Sequence, residues 1–480
     1  MPLASMILVL LVAVPLVGAA LALAAGRWDR GPRSVALAAA LLQAGLLVPL
    51  ATAGAFSGRA IDALPGGTGS LLGMHVDGVS APLVALTALI GVVAVLASWK
   101  LEDRPATHFA LLLLLQAAAT AVFLFRNIFA FYVAWEAVLI PMYFLIGGWG
   151  HERRRHAAAK FFVYTFLASV FMLVGLLVAF FSTGTADILF ISAKAGSIVS
   201  ATTVFWLLML GFLVKLPAFP FHTWLPDAHV EAPTAGSIVL AAVLLKMGGY
   251  GMLRIAMPFA PQAFDASRGI LAALGIIGIV YGGAMAFQQE DLKRLIAYSS
   301  ISHMGFVLLA LAVGTPAALG AAMVVMVSHG FVAGLLFFLT GALYDRTHTR
   351  ELRRFGGLGA VAPAWSVVFV FAALASAGLP GLSGFPGEFV TMLESWGSLG
   401  WWTLVAALGL VVAAAYNLRA VRGTVQGPVG EFDALPDLDA RERLAAAWFG
   451  SAIIVIGVYP SLVLAASSRA LEALSKAVGG

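Results

Sequence analysis

The chain has 480 residues, of which 61% are hydrophobic and only 11% charged, with a net charge of +5 and no cysteine. A soluble domain carries roughly 25% charged residues and a disordered chain needs low hydrophobicity, so both are excluded. Without cysteine there are no disulfides, thiolate metal sites or cysteine-held iron–sulfur clusters, and the small positive charge reads as membrane topology rather than nucleic-acid binding.

The apolar runs are apolar on all sides, whereas barrel strands alternate. The expected fold is an all-α polytopic membrane protein of about 14 transmembrane helices, at roughly 20 residues per span. In chain order the spans are expected near residues 3–25, 33–53, 80–99, 108–125, 128–148, 160–181, 201–226, 235–257, 269–287, 292–313, 318–343, 363–395, 400–418 and 446–465. No Lys or Arg precedes the first run, and Arg27, Arg30 and Arg33 follow it. A cleaved signal peptide has a positive start and a shorter apolar core, so this run reads as a retained helix with its amino terminus outside. Both termini then lie outside. Nineteen of the 28 basic residues fall in loops assigned to the cytoplasm, seven outside, and Lys215 and Lys246 within apolar runs.

No soluble domain fits between these spans. The longest loops run from Gly54 to Val79 and from Arg419 to Leu444; the second, with Glu431, Asp433, Asp437, Asp439 and Glu442, reads as a solvated cytoplasmic connector. The segment from Ser182 to Thr202 has room for a short helix or strand.

An ionisable group near the bilayer centre costs roughly 2.5–3.5 kcal/mol on insertion scales, so such groups are rare and line bundle interiors or hydrated paths. Glu136 lies mid-run in FYVAWEAVLIPMYF. Lys215 lies in GFLVKLPAFPFHTWLP, where Pro217 and Pro220 should break the helix. Lys246 is about eleven residues into its span, too central to snorkel. His303 and His329 sit in neighbouring spans, and histidine changes charge near neutral pH. Glu388 follows GLPGLSGFPG, whose glycines and prolines make an unbroken helix implausible. The bland alternatives are a packing glutamate, structural lysines and hydrogen-bonded core histidines.

The two interrupted spans are the seventh and the twelfth. An odd offset of five inverts the second copy, and paired Gly/Pro-interrupted helices point to a transport site. The expected divisions are residues 1–107 (helices 1–3), 108–260 (first inverted repeat, helices 4–8), 261–420 (second inverted repeat, helices 9–13) and 421–480 (cytoplasmic connector and helix 14). A carboxylate beside an ammonium favours the charged form of each, and separation reverses this. A run of Glu, Lys and His can therefore pass a proton stepwise. Whether Glu136 lies near Lys215 is left open by the sequence.

Other motifs fail. HERRRH at 151–156 spaces its histidines by five, not the four of the zinc-protease helix, and reads as a basic cytoplasmic loop. Ser383 in GLSGF misses the nucleophile elbow by one residue. No Walker loop or dinucleotide fingerprint is present.

WEAVLIPMYFLIGGWG, VKLPAFPFHTWLPDAHVEAPTAGSIVLAAVLLKMGGYG, DLKRLIAYSSISHMGFVLL and GLPGLSGFPGEF resemble the antiporter-like membrane subunits of respiratory complex I, from about Asp77 to Asn417. The glutamate at 388 resembles the M type (chain 4 type) of bacterial NADH–quinone oxidoreductase, since most paralogues carry lysine there. The resemblance implies two inverted five-helix repeats and proton translocation along a mid-membrane axis. It implies Glu136 paired with Lys215, Lys246 as the bridging lysine, His303 and His329 on the axis, and Glu388 in the second broken helix. It also implies a hetero-oligomer in the bacterial inner membrane, with L- and N-type antiporter-like neighbours. Flavin, iron–sulfur clusters and quinone are expected in partner subunits, with no cofactor, metal or nucleic acid on this chain. The alternatives are a subunit of a multisubunit sodium/proton antiporter or the membrane subunit of a hydrogenase-type complex.

Overall fold

The computed structural model describes residues 3–63 and 70–479. The chain begins with α1 (Leu3–Ala24), α2 (Gly31–Thr52), the strands β1 (Ile61–Ala63) and β2 (Met74–Val76), α3 (Ala81–Ala97), α4 (Pro105–Leu124), α5 (Ile128–Trp149), α6 (Arg154–Thr183) and α7 (Ile188–Ala193). It continues with α8 (Ala201–Lys215), α9 (Trp224–Glu231), α10 (Thr234–Phe259), α11 (Pro261–Gln288), α12 (Leu292–Val313) and α13 (Pro316–Thr347). It ends with α14 (Pro363–Ser376), α15 (Gly384–Leu399), α16 (Trp402–Thr424), α17 (Ala440–Val458) and α18 (Ser461–Ala477).

Local chemistry sets many of these limits. The side chains of Asn127, Asp187, Asp291 and Thr315 accept backbone N–H bonds at the starts of α5, α7, α12 and α13. Asp439 and Glu442 form a reciprocal capping box on α17. Proline opens α4, α11, α13 and α14, where its missing N–H costs no helical bond.

Among the described residues ten helices are long and apolar enough to cross a membrane, or eleven if α17 and α18 count as one bent span. The third, seventh and twelfth expected spans fall on shorter apolar helices, α3, α8 and α14. Helices α8 and α14 are short because the chain leaves helical geometry after Lys215 and Ser376, at the two Gly/Pro-rich stretches. The central helix α13 is buried along its whole membrane-length window, and α10 and α12 nearly so, whereas α2, α6 and α16 leave most of theirs outward. The chain is a multi-pass helical membrane protein.

Two expectations need correction. The last span was placed at 446–465, but α17 stops at Val458 and α18 leaves at 61°. Pro460 lies at the bend, and α18 buries Val463, Ala466 and Leu471 while Arg469, Glu472 and Lys476 stay exposed. The 419–444 segment is not simply a solvated connector. Helix α16 continues to Thr424, Asp437 accepts the N–H groups of Ala364 (2.8 Å) and Trp365 (2.9 Å), and buried Glu442 pairs with Arg346 at 2.5 Å. The open segment 182–202 contains α7, capped by Asp187.

With one exception, every ion pair among the described residues joins groups that the charge bias assigns to the same face. On the basic face Lys100 meets Asp439, Lys160 and Arg294 meet Asp227, and Arg350 meets Asp291. On the other, Arg126 meets Asp62 and Asp187, and Arg254 meets Asp77. The exception, His303 with Glu388, lies within the helices.

Burial pushes the Asp77 carboxyl up, but the Arg254 charge and the His75 hydrogen bond outweigh it and hold it well below the usual carboxylate range. Asp77→Asn leaves Arg254 without its counter-ion. The expected destabilisation is about 3–5 kcal/mol, read as a lower melting temperature in detergent. Arg353→Ala, which removes an exposed pair with Glu290, is expected to cost less than about 1 kcal/mol.

His151 packs edge-on to Tyr344 at 4.7 Å, on the basic face. Burial, with the charges of Lys293 and Arg350 nearby, pushes it down from 6.5 to about 3. It is therefore neutral when folded but protonated in the unfolded chain below about pH 6.5. Its contribution to stability is complete above that pH and is lost as pH falls toward 3. The melting temperature is expected to fall less between pH 7.5 and pH 5 in His151→Gln than in the parent. Identical pH slopes would contradict this.

Candidate functional site

The first helix break is organised around its freed backbone groups. After Lys215, Ala218 donates to the carbonyl of Leu213 (2.9 Å), and the Trp224 indole donates to the carbonyl of Val214 (3.0 Å). Such substitutes are what make broken backbone tolerable at membrane depth. The following α9 is pinned on the basic face. Asp227 accepts from Lys160 at 2.6 Å, Arg350 donates to the Val230 carbonyl at 2.7 Å, and Lys293 donates to the Ala232 carbonyl at 2.5 Å. Glu231 accepts the N–H of Arg153 at 2.9 Å.

Lys215 ends α8 and is 1% exposed. Its amine lies 5.4 Å from the Trp135 ring and 5.8 Å from the Phe161 ring, a cation–π setting. Glu136 on α5 faces Tyr132, Ser169 and Lys215. The two charges are neighbours but are not bonded: neither Lys215 Nζ nor Glu136 Oε1 has a hydrogen-bond partner, although both atoms are buried.

The other four expected residues form a nearly continuous run. Lys246 is fully buried on α10, between two π-helical turns at Leu240–Leu244 and Met252–Ala256. Such turns recur at functional sites. Its amine donates to the Ala241 carbonyl at 2.5 Å and lies 2.6 Å from His329 Nδ1 on α13. The His329 and His303 rings are 5.4 Å apart between centroids. On α12, His303 Nδ1 is 2.8 Å from Glu388 Oε1 on α15, and its Nε2 is 3.3 Å from Ser376 Oγ and 3.4 Å from the Tyr416 hydroxyl. His303, His329 and Glu388 line a cavity of about 10 Å³, about the room one water molecule needs.

Lys215 and Lys246 make no hydrogen bond to each other. Their helices nevertheless pack closely: a Cβ on Gly248 would sit 2.6 Å from the Phe212 carbonyl oxygen and 2.7 Å from the Leu216 nitrogen. Glycine is what admits α10 to the end of α8 at this distance.

Sequence reasoning missed several members of this polar interior. His229 is fully buried, stacked on Phe337 at 4.4 Å, and has no partner for either ring nitrogen. Its charged neighbours are Lys293 and Lys246. Lys293, counted as a loop charge, is 4% exposed. Ser376 and Tyr416 approach His303, Asn417 donates to Ser376 at 3.2 Å, and Ser328 donates to Ser383 in the second break at 2.8 Å. The available signal was a second histidine seven residues after His222 in the KLPAFPFHTWLPDAHVEAP segment.

Titratable groups in hydrogen-bond contact or separated by one water can pass a proton. No soft-metal ligand set accompanies them. Among the described residues no cluster of three or more His, Cys, Asp or Glu side chains has metal-binding geometry.

Comparison with known proteins identifies the family. Residues 126–414 match the family described as "NADH:quinone oxidoreductase/Mrp antiporter, TM". The chain is 40% identical to NADH-quinone oxidoreductase subunit M of Rhodobacter capsulatus over 414 residues, 82% of this chain and 80% of that protein. It is 41% identical to the subunit M of Pseudomonas aeruginosa over 421 residues, 85% and 82% of the two chains. Among solved structures, a chain of respiratory complex I from Thermus thermophilus with bound NADH superposes with a TM-score of 0.89 at 32% identity, covering 98% of this chain and 100% of that one. A chain of the membrane-bound sulfane sulfur reductase, an archaeal respiratory membrane complex, gives 0.88 at 26% identity, covering 98% and 99%. The Mrp complex from Dietzia sp. DQ12-45-1b, at 20% identity and a TM-score of 0.86, shares the fold. The chain belongs to the NADH:quinone oxidoreductase/Mrp antiporter family of membrane subunits.

Proposed function

We propose that this chain is a proton-translocating membrane-arm subunit of an NADH–quinone oxidoreductase, driven by quinone reduction in partner subunits. The observation that carries this reading is the buried run Lys246–His329–His303–Glu388, with contacts of 2.6 and 2.8 Å at its two ends and a water-sized cavity lined by both histidines. The relatives named subunit M supply the context. In this reading the chain crosses the membrane fourteen times, with α4–α10 and α11–α16 as two inverted five-span repeats and both termini on the periplasmic side of a bacterial inner membrane. Its neighbours are L- and N-type antiporter-like subunits. Electrons travel elsewhere: flavin, iron–sulfur clusters and quinone belong to partner chains, and this one carries no cofactor.

The residues have distinct parts. Glu136 and Lys215 form a pair that opens and closes; closing favours the charged form of each, and opening removes that support. Lys246 exchanges a proton with His329 Nδ1. The other ring nitrogen, Nε2, has no protein partner and passes its proton through a water to His303. Glu388 receives it at the second helix break. His229 and Lys293 supply a hydrated branch from the basic face to Lys246. A second reading, a membrane subunit of another redox-linked complex, draws on the 26% likeness to the archaeal respiratory complex.

Affinity capture of this chain from mild-detergent membranes, followed by mass spectrometry, tests the assignment. Peripheral chains bearing flavin and iron–sulfur clusters are expected to co-purify. Recovery of small hydrophobic subunits alone would contradict it in favour of a sodium/proton antiporter.

A further inference from the structure

Helix α17 packs unevenly against α3 and α13. Phe449 is buried against α13, with its ring 6.4 Å from that of Phe338. Beyond it, toward the bend at Tyr459–Pro460, α17 separates from α3 and α13 and leaves an apolar groove of about 350 Å³. Its walls include Pro82 and Leu86 of α3, Val327 and Phe331 of α13, and Ala452 and Val455 of α17. That volume is roughly twice the ~150 Å³ of an engineered cavity that takes up benzene. The groove opens outward along Val455 and Leu462, which are 48% and 49% exposed.

Two arginines lie near its bend end. Phe56 and Val463 line the groove there. Arg59 follows Phe56 by three residues, and the Arg469 side chain comes within 3.6 Å of where a Cβ on Gly58 would stand. Both arginines are exposed, and neither has a carboxylate partner among the described residues. Tyr459, 63% exposed, stands at the same bend, as aromatic residues do at membrane–water interfaces. Guanidinium groups suit phosphate through paired N–H donors.

We infer that this groove binds one anionic phospholipid, with its phosphate on Arg59 and Arg469 and one acyl chain against α3, α13 and α17. The tail has a defined position relative to the polar interior. Val327 and Phe331 lie two residues either side of His329, about 200° around the helix, so they face away from it. Leu86 lies against Gly330, where a Cβ would be 2.8 Å from its methyl carbons. The bound tail therefore covers the back of the helix that carries His329.

The test uses the intact membrane assembly and phosphatidylglycerol carrying a photoactivatable diazirine at the end of one acyl chain. Adducts are expected on peptides spanning 82–89, 327–331 and 448–456. Replacing both Arg59 and Arg469 by alanine is expected to lower labelling roughly tenfold or more at limiting probe, because both charge-assisted contacts to the phosphate are lost. Ala85→Phe, which fills the groove, is expected to abolish the adducts without removing either arginine. No adducts on these peptides would overturn the proposal, as would labelling unchanged in the double-arginine variant or equal labelling by a neutral diacylglycerol probe. A photo-crosslinker at Ser451 that captures a partner subunit's helix instead of lipid would also overturn it.

Discussion

Lys215→Ala is expected to abolish proton translocation while the assembly still forms and binds its partner subunits. The lysine is buried at a helix break, its amine between two aromatic rings and without a hydrogen-bond partner. A group so placed contributes little to holding the helices together. Trp224, not Lys215, ties the break, through the Val214 carbonyl. Alanine therefore removes the titrating group and leaves the packing of α8 nearly intact. Losing a positioned proton-transfer group typically costs on the order of 10²–10⁴-fold, so coupled turnover should fall at least on the order of 10²-fold. Glu136→Ala is expected to act in the same direction, because it removes the neighbouring counter-charge. Normal pumping in either variant, or loss of assembly in both, would sink the proposed pair.

The second large effect is expected at Glu388. Its carboxylate is 2.8 Å from His303 Nδ1 in a buried site that also holds Ser376 and Tyr416. Glu388→Gln keeps the shape and a hydrogen bond to His303 but cannot exchange a proton. Pumping should fall on the order of 10²-fold with little change in melting temperature. Glu388→Lys is expected to retain part of the activity, because the group at this position still titrates. The ratio of the two variants is the readout. Equal loss in both, with poor assembly, would point to a structural role.

The buried charges were legible in the sequence because their cost is high: Glu136 and Lys215 are the only charges in their expected spans, and Lys246 and Glu388 stand inside spans whose other charges, Arg254 and Glu394, fall near the ends. The breaks were legible for a similar reason, since prolines and glycines cluster at both, Pro217 and Pro220 at the first and Gly378, Pro380 and Gly381 at the second. The contacts were not legible. That Lys246 meets His329, and His303 meets Glu388, depends on how α10, α12, α13 and α15 pack, and hydropathy carries no information about helix rotation. Lys293 was read as a topogenic charge because it stands one residue inside a helix start, where such charges usually reach water; here it turns inward to the Ala232 carbonyl. His229 was passed over because its segment read as a loop, whereas it lies in α9 and faces the interior. The bend at Pro460 was hidden by apolar residues on both sides of it. The acids of the 419–444 segment look alike in sequence, yet Asp437 and Glu442 act as ties while Glu431 stays exposed.

The most direct measurement places the purified assembly in proteoliposomes and follows internal pH in two experiments. The first supplies NADH and quinone; the second supplies a sodium gradient without an electron donor. Donor-driven proton movement that disappears in Lys215→Ala, with no response to sodium alone, is the expected result. Proton movement driven by sodium in the absence of a donor, and lost in the same variant, would contradict the assignment and make the polar interior an ion-exchange path.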